Sequence, residues 1–215
     1  MKRIGSMAIG AAIWAVLALA AAFPAAARPP IALSEEQIGV VRQINAYINA
    51  LGSLKGRFTQ IGPSGEFAEG DFYLQRPGRM RFEYARPNPI LVIADGFWVG
   101  IEDRSLRSTQ KYPLVTTPLS LLLGERVDLI KDARIVGFED RDGHIAVTVE
   151  ANAGTTPGEL TLIFGGPLMT LKQWTVVDAQ GLTTQVAVFD LVQGVDLNPK
   201  LFWINDHLIF ETNER

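Results

Sequence analysis

The 215-residue chain contains no cysteine and only two histidines, His144 and His207. A disulfide framework is therefore excluded, and so is a lipid-modified cysteine behind a signal peptide. Neither histidine lies near a serine motif of the kind that carries a nucleophile. No cluster of side chains has the spacing of metal ligands. We therefore expect no catalytic residue, no metal site and no cofactor.

No stretch after residue 27 is apolar enough to span a bilayer, whereas the beginning of the chain is strongly apolar. A basic start is followed by an uncharged run from Ile9 to Ala22 and by small residues that end at Ala27. This pattern predicts a signal peptide over 1–27, with a retained membrane anchor as the alternative. The expected mature protein is a single domain over 28–215, soluble and located in the periplasm.

Basic residues are also fewer than acidic residues once the predicted signal peptide is removed. Residues 28–215 then carry 18 basic and 23 acidic side chains, a formal charge of −5. Nucleic-acid phosphates and anionic lipid surfaces both favour a basic protein surface. The charge balance therefore argues against nucleic acid as a partner and against passive adhesion to anionic lipid.

Two apolar helices and a series of short strands account for the remaining pattern. Ser34 and Gln37 form a capping-box pattern, and apolar residues recur every three or four positions to predict a helix from Glu35 to Leu51. A second, very apolar helix is predicted over Thr117–Gly124, with Thr117 as cap and proline at the first helical position. The strands are predicted at Lys55–Ile61, Glu66–Gln75, Arg79–Tyr84, Ile90–Ala94, Phe97–Ile101, Leu106–Lys111, Ala133–Glu139, His144–Glu150, Glu159–Phe164, Leu168–Val177 and Leu182–Leu191.

The segment Arg79–Tyr84 alternates without interruption between polar and apolar residues. Successive side chains of a strand point to opposite faces, so Met80, Phe82 and Tyr84 share one face. Regularly spaced strands of this kind predict one large antiparallel sheet that curls toward a barrel. The apolar helices are then expected to cover its apolar face.

Several short motifs follow one another in an order typical of a known family. They are Phe58-Thr59-Gln60, Gly70-Asp71, Arg76 to Phe82, Pro87, Val92 to Gly96, the Thr117-Pro118 helix and Phe202. In these residues the chain resembles the periplasmic outer-membrane lipoprotein carrier proteins, the LolA-like family. The resemblance implies a mainly β fold with some α-helix: an incomplete, unclosed antiparallel β-barrel covered by a lid of short helices.

The resemblance also implies a function and a set of partners. Members of that family collect triacylated lipoproteins from an inner-membrane ABC transporter and shuttle them to an outer-membrane receptor or to the outer membrane itself. We expect a monomer. Two other functions stay open on the same fold, a lipoprotein-sensing regulatory protein and a factor that inserts lipoproteins into the outer membrane.

The residues expected to bind acyl chains are apolar and are assigned to the concave face of the barrel. They are Phe72, Leu74, Met80, Phe82, Tyr84, Leu91, Ile93, Leu119 and Leu122. Strand parity relates residues within a strand, whereas the identity of the concave face is implied by the resemblance. The alternative for each residue is a sealed core without ligand.

Arg76 is the polar residue of greatest interest. It belongs by parity with Phe72 and Leu74, so the side chain is expected to point inward, where a charge needs partners. The resemblance implies that this arginine bonds to backbone carbonyls of the lid helix near Leu119 to Leu123 and keeps the lid closed. A strand-end arginine that reaches solvent is the alternative.

Overall fold

A single antiparallel sheet organises the protein, as seen in a computed structural model that describes residues 28–151 and 158–205. The eleven strands of these residues run in the order β6-β5-β4-β3-β2-β1-β11-β10-β9-β8-β7, and β6 and β7 form the two edges. Because the edges do not pair, the barrel is unclosed. The strands are β1 (Ser53–Ile61), β2 (Phe67–Gln75), β3 (Arg79–Tyr84), β4 (Ile90–Asp95), β5 (Trp98–Asp103), β6 (Ser108–Pro113), β7 (Ala133–Arg141), β8 (His144–Ala151), β9 (Glu159–Gly165), β10 (Thr170–Val177) and β11 (Thr183–Gln193).

Short helices cover one face of this sheet. They are α1 (Glu35–Ala50), α2 (Ser120–Leu123), α3 (Leu129–Asp132) and a 3₁₀ helix, Leu114–Thr116. A second 3₁₀ helix, Pro199–Phe202, packs on the opposite face. The predicted fold class, an incomplete antiparallel barrel under short helices, is confirmed. No helix in the described ranges is long and apolar enough to span a membrane. The predicted signal peptide lies outside the described residues, so that segment and the domain that follows it stay predictions.

The start of α1 was predicted from its cap. The Ser34 hydroxyl accepts from the Gln37 amide at 3.2 Å, and the Gln37 side chain accepts from the Ser34 amide at 2.9 Å. The two bonds satisfy two of the amides that a helix leaves without a partner at its N-terminus. Val41, Ile44 and Ile48 then lie on the buried side of the helix, each without measurable exposure.

The second predicted helix begins later than its sequence pattern indicates. Only Ser120–Leu123 is α-helical, the N-cap is Leu119, and the Thr117 hydroxyl donates to the Leu114 carbonyl instead of accepting from the helix. The prediction of Thr117 as cap was therefore wrong. The cause is the preceding 3₁₀ helix, which engages Thr117 and delays the first α-helical residue. The short helix α3 was not predicted.

The two faces of the sheet carry two separate apolar clusters. The inner face holds the main core and packs against α1 and against the segment from Leu119 to Asp132, which contains α2 and α3. We call these two parts together the lid. The outer face of β4 holds a smaller cluster, which packs against the chain from Val195 to Asn205. We call this segment the strap. Within the strap, Leu197 and Phe202 are buried.

Candidate functional site: the inner face and its lid

Five aromatic side chains meet on the inner face beneath the lid. This aromatic group consists of Phe58, Phe72, Phe82, Tyr84 and Trp174. The Phe82 ring is central, with its centroid 4.9 Å from Phe58, 5.0 Å from Phe72 and 5.9 Å from Trp174. Such rings provide a large apolar surface with few polar requirements. The inner face is therefore a buried apolar surface with few polar groups.

Two members of the aromatic group were not among the predicted acyl-chain residues. Phe58 was noted only as part of a motif, and Trp174 was not singled out. Trp174 lies on β10 opposite Leu162 of β9 and Val186 of β11, so its inward direction follows from strand parity. A signal was thus present in the sequence, but the distance between β3 and β10 along the chain concealed their contact.

Seven of the nine predicted acyl-chain residues lie on the inner face. Phe72, Leu74, Met80, Phe82 and Leu122 belong to the buried core, and Tyr84 and Leu119 pack against it with partial exposure. Their common placement agrees with the predicted alternation. Binding of acyl chains by these residues stays a prediction.

The other two predicted residues, Leu91 and Ile93, lie on the outer face of the sheet. They pair across the sheet with Glu83 and Arg81 and pack with Leu197 and Phe202 of the strap. Their assignment to the concave face was therefore wrong. Because β4 is apolar on both sides, the sequence of this strand did not indicate which residues face inward.

Tyr84 carries the only hydroxyl of the aromatic group. The hydroxyl donates to Gln60 Oε1 at 2.7 Å, so the buried polar atom keeps a partner. Burial raises the pKa of Tyr84, and the bond to Gln60 partly offsets that rise. The phenol stays neutral at physiological pH and does not place a charge in the apolar space.

Arg76 lies at the end of β2 and bonds both parts of the lid. Its Nη1 donates to the Ile48 carbonyl in the last turn of α1, and its Nη2 donates to the Gly124 carbonyl at 2.6 Å. Nη2 also lies 3.4 Å from Asn49 Oδ1. Burial lowers the pKa of the Arg76 guanidinium, which nevertheless stays charged at neutral pH. The sequence-based alternative, an arginine that only reaches solvent, does not describe this geometry.

Two asparagines of α1 bond the segment that leads into α3. Asn49 pairs its amide with the Val127 peptide, donating to the carbonyl at 2.7 Å and accepting from the N–H at 2.9 Å. Asn45 donates to Asp128 Oδ1 at 3.2 Å and accepts from the Leu129 N–H at 3.1 Å. Neither residue was predicted. The available signal was the position of Asn45 within the apolar stripe of α1.

Clustered metal ligands are absent from the described part of the chain. Among residues 28–151 and 158–205, no group of three or more His, Cys, Asp or Glu side chains could hold a metal ion. His144 is exposed, with Nδ1 3.1 Å from the Asp142 carbonyl in the β7–β8 turn. His207 lies outside the described residues. The site is thus an apolar surface with a polar contact at its edge.

Comparison with known proteins gives one family. A family model described as outer membrane lipoprotein carrier protein LolA matches residues 49–205. The outer-membrane lipoprotein carrier protein of Bordetella avium is 32% identical over 183 residues, 80% of this chain and 83% of that protein. The protein of that name from Dechloromonas aromatica is 28% identical over 69% of this chain and 74% of its own. A solved LolA superfamily protein from Nitrosomonas europaea has a TM-score of 0.44 at 9% identity, over 80% of this chain and 99% of that one.

Proposed function

Because this chain belongs to the LolA family of outer-membrane lipoprotein carrier proteins, we propose that it carries lipoproteins through the periplasm and shelters their acyl chains on its inner face. The observation that carries the proposal is the aromatic group beneath a lid whose two parts both bond to Arg76. The carrier names of the relatives favour this function over a sensor or an insertion factor.

The need for such a surface follows from the energetics of acyl chains. Transfer of each buried CH₂ group to water costs about 0.8 kcal/mol, so two or three chains bind a lipoprotein very firmly to its membrane. A soluble carrier must offer an apolar environment of similar quality. The inner face does so with aliphatic and aromatic side chains that impose little directional preference.

In the structure described here, the inner face is occupied by the lid itself. Ile44 and Ile48 of α1, Leu122 and Leu123 of α2 and Leu129 of α3 all belong to the same buried core. Cargo must therefore displace lid side chains, and the acyl chains replace one apolar surface by another. This exchange keeps the net free energy of loading small, as a carrier that must also unload requires.

The remaining features of the proposal concern processing and partners. We propose that residues 1–27 are removed on export and that the mature protein is a periplasmic monomer. Its cargo is triacylated lipoprotein, received from an inner-membrane ABC transporter and delivered to an outer-membrane receptor or to the outer membrane itself. No step of this cycle requires the protein to act as an enzyme.

The experiment that tests the function is release of lipoprotein from inner membranes. Purified protein is added to spheroplasts that export a labelled lipoprotein, and the soluble complex is measured. We expect release by the parent protein and loss of release by Phe82→Glu, because an ionised carboxylate in the apolar space costs several kcal/mol. The control is Trp203→Glu, at a position that is 66% exposed. Parent protein that releases nothing, or folded Phe82→Glu that releases normally, would contradict the proposal.

A further inference from the structure

Asn45 occupies an unusual place, since a polar side chain interrupts the buried stripe of α1. It is only 8% exposed, and both atoms of its amide that can form hydrogen bonds do so. One partner, the Leu129 N–H, belongs to the first residue of α3 and has no acceptor within that helix. The other partner, Asp128, is the N-cap of α3. Asn45 therefore completes the N-terminus of α3 from a different helix.

Separation of α1 from this segment would leave several buried polar groups without partners. The Asn45 amide and the Leu129 N–H would each need water at the moment of separation, whereas Asp128 Oδ1 would keep its bond from the Ile130 N–H. A buried donor or acceptor that loses its partner is costly. Asn49 adds two bonds to Val127 one turn further along α1, at a more exposed position.

Arg76, by contrast, bonds both parts of the lid from outside. It donates to the Ile48 carbonyl of α1 and to the Gly124 carbonyl after α2. Rupture of these bonds does not disturb the asparagine bonds, because the only shared atom is Asn49 Oδ1, which lies 3.4 Å from the guanidinium. Two further bonds each hold one part of the lid: the Gly78 N–H donates to the Leu123 carbonyl at 2.9 Å, and the Leu171 N–H donates to the Tyr47 hydroxyl at 3.3 Å. Arg76 differs from both because it contacts the two parts at once.

We propose that Asn45, assisted by Asn49, joins α1 to residues 124–132, so that the two parts of the lid leave the inner face as one unit when Arg76 releases them. The consequence for a carrier is that the whole aromatic group becomes accessible in a single step. The biological meaning of this unit rests on the proposed carrier function, whereas its existence rests on the hydrogen bonds alone.

Hydrogen exchange on the protein without cargo measures whether the unit exists. The two reporters are the backbone amides of Ile48 in α1 and Asp132 in α3, followed by NMR in the parent protein and in Arg76→Leu. The Asp132 N–H donates to the Asp128 carbonyl at 2.8 Å and does not contact Asn45. We expect Arg76→Leu to lower both protection factors about tenfold or more, and by the same factor within about twofold. Protection factors that change by clearly different amounts would overturn the proposal.

Variants of Asn45 test whether that residue provides the coupling. In Asn45→Ala, the protection of the Asp132 amide is expected to fall about tenfold more than that of Ile48. Asn49→Ala acts in the same direction with a smaller effect and serves if Asn45→Ala does not fold. Gln43→Ala, on the exposed side of α1, is the matched control and leaves both amides unchanged. Equal changes at both amides in Asn45→Ala or Asn49→Ala would show that the proposal is wrong.

An exchange of donor and acceptor separates this coupling from general destabilisation. Asn45→Asp keeps an acceptor for the Leu129 N–H but places a carboxylate against Asp128, so the coupling is expected to be lost. Adding Asp128→Asn supplies a donor to the new carboxylate and is expected to restore equal protection changes. Failure of this restoration counts against the proposal. Because no cargo is present, the result is independent of whether lipoproteins are carried.

Discussion

The two faces of β4 are both apolar and both covered, and in both cases an arginine bonds a backbone carbonyl of the cover. Arg76 donates to the Gly124 carbonyl of the lid at 2.6 Å, and Arg81 donates to the Leu201 carbonyl of the strap at 3.0 Å. The two arginines differ in their charge partners. Arg81 pairs with Glu83 at 2.9 Å, whereas Arg76, among the described residues, forms no ion pair.

This difference makes the lid bonds less favourable than those of the strap. The charge of Arg76 is half-buried with only neutral oxygens as partners, and its buried Nε has no hydrogen bond. Part of the stabilisation from the lid bonds is therefore lost to desolvation. The strap does not lose stabilisation in this way, because the carboxylate of Glu83 neutralises the charge of Arg81. The strap is also held by Phe202, which is only 2% exposed. We infer that the lid opens while the strap stays in place.

Removal of the strap's buried ring is expected to have the largest effect on stability. Phe202→Ala deletes a buried aromatic side chain, a change that typically costs about 3–5 kcal/mol of unfolding free energy. Chemical denaturation measures this loss. Trp203→Ala, one residue further and 66% exposed, is the control and is expected to change stability by less than about 0.5 kcal/mol. Similar stabilities of the two variants would contradict a permanent strap.

Replacement of Arg76 is expected to have the next largest effect, on lid closure and delivery. Each hydrogen bond from a charged donor contributes about 1.5–3 kcal/mol, so Arg76→Leu biases the lid toward the open state by about tenfold or more. Lipoprotein binding is expected to persist or tighten while transfer to the next acceptor fails. Arg76→Lys should be intermediate, because an ammonium does not reproduce the two-pronged guanidinium. Transfer by Arg76→Leu at the parental rate would exclude Arg76 as the residue that controls closure.

Two glycines, one on each face of the sheet, allow the tightness of packing on the two faces to be compared. A Cβ at Gly70 would collide with the Glu83 carbonyl of the neighbouring strand and lie 2.8 Å from the Phe58 ring. A Cβ at Gly100 would meet only the Ile204 side chain of the strap, 2.8 Å away. Because backbone yields less than a side chain, Gly70→Ala is expected to cost about 1–3 kcal/mol and Gly100→Ala less. Thermal unfolding checks the order, and the reverse order would show that Ile204 of the strap yields less than the backbone of β3.

The sequence predicted those parts of the fold whose pattern is local. Strict alternation in β3 placed Met80 and Phe82 on one shared face, which the family resemblance identified as the inner one, and the Ser34 cap located the start of α1. The segments that cover the sheet, above all the strap, could not be predicted in this way. Leu197 and Phe202 of the strap stand in a segment without periodicity, so nothing in their spacing indicates the face that they cover.

The candidate site, like the fold, was predictable only where its sequence pattern is local. Parity indicated that Arg76 points inward, but its bond to the Ile48 carbonyl joins segments far apart in the chain. Leu91 and Ile93 were misplaced because β4 is apolar on both faces, and only the strap explains why. Long-range contacts of this kind depend on how the sheet curls and on which segment returns to cover it.

The smallest expected effect concerns the charge partner that distinguishes the strap from the lid. Burial raises the pKa of Glu83, but hydrogen bonds and charge from Arg81 and Arg104 outweigh it, so the pKa of this carboxyl lies below its ordinary value of 4.5. A lowered folded-state pKa means that the unfolded chain takes up the proton first as the pH falls. The stabilisation from Glu83 is therefore present above about pH 4.5 and is lost as the pH falls through the lowered value.

Glu83→Gln removes this contribution and should flatten the acid side of the stability curve. The Glu83 side chain is 35% exposed and that of Arg104 is 48% exposed, so solvent screening limits the difference at neutral pH to less than about 1 kcal/mol. Denaturation midpoints of parent and variant, measured from pH 7 to pH 3, should therefore converge as the pH falls. The control is Glu36→Gln on the exposed surface of α1. A constant gap between Glu83→Gln and the parent across this range would mean that the carboxylate does not compensate Arg81, and the strap would then be held by its apolar side chains alone.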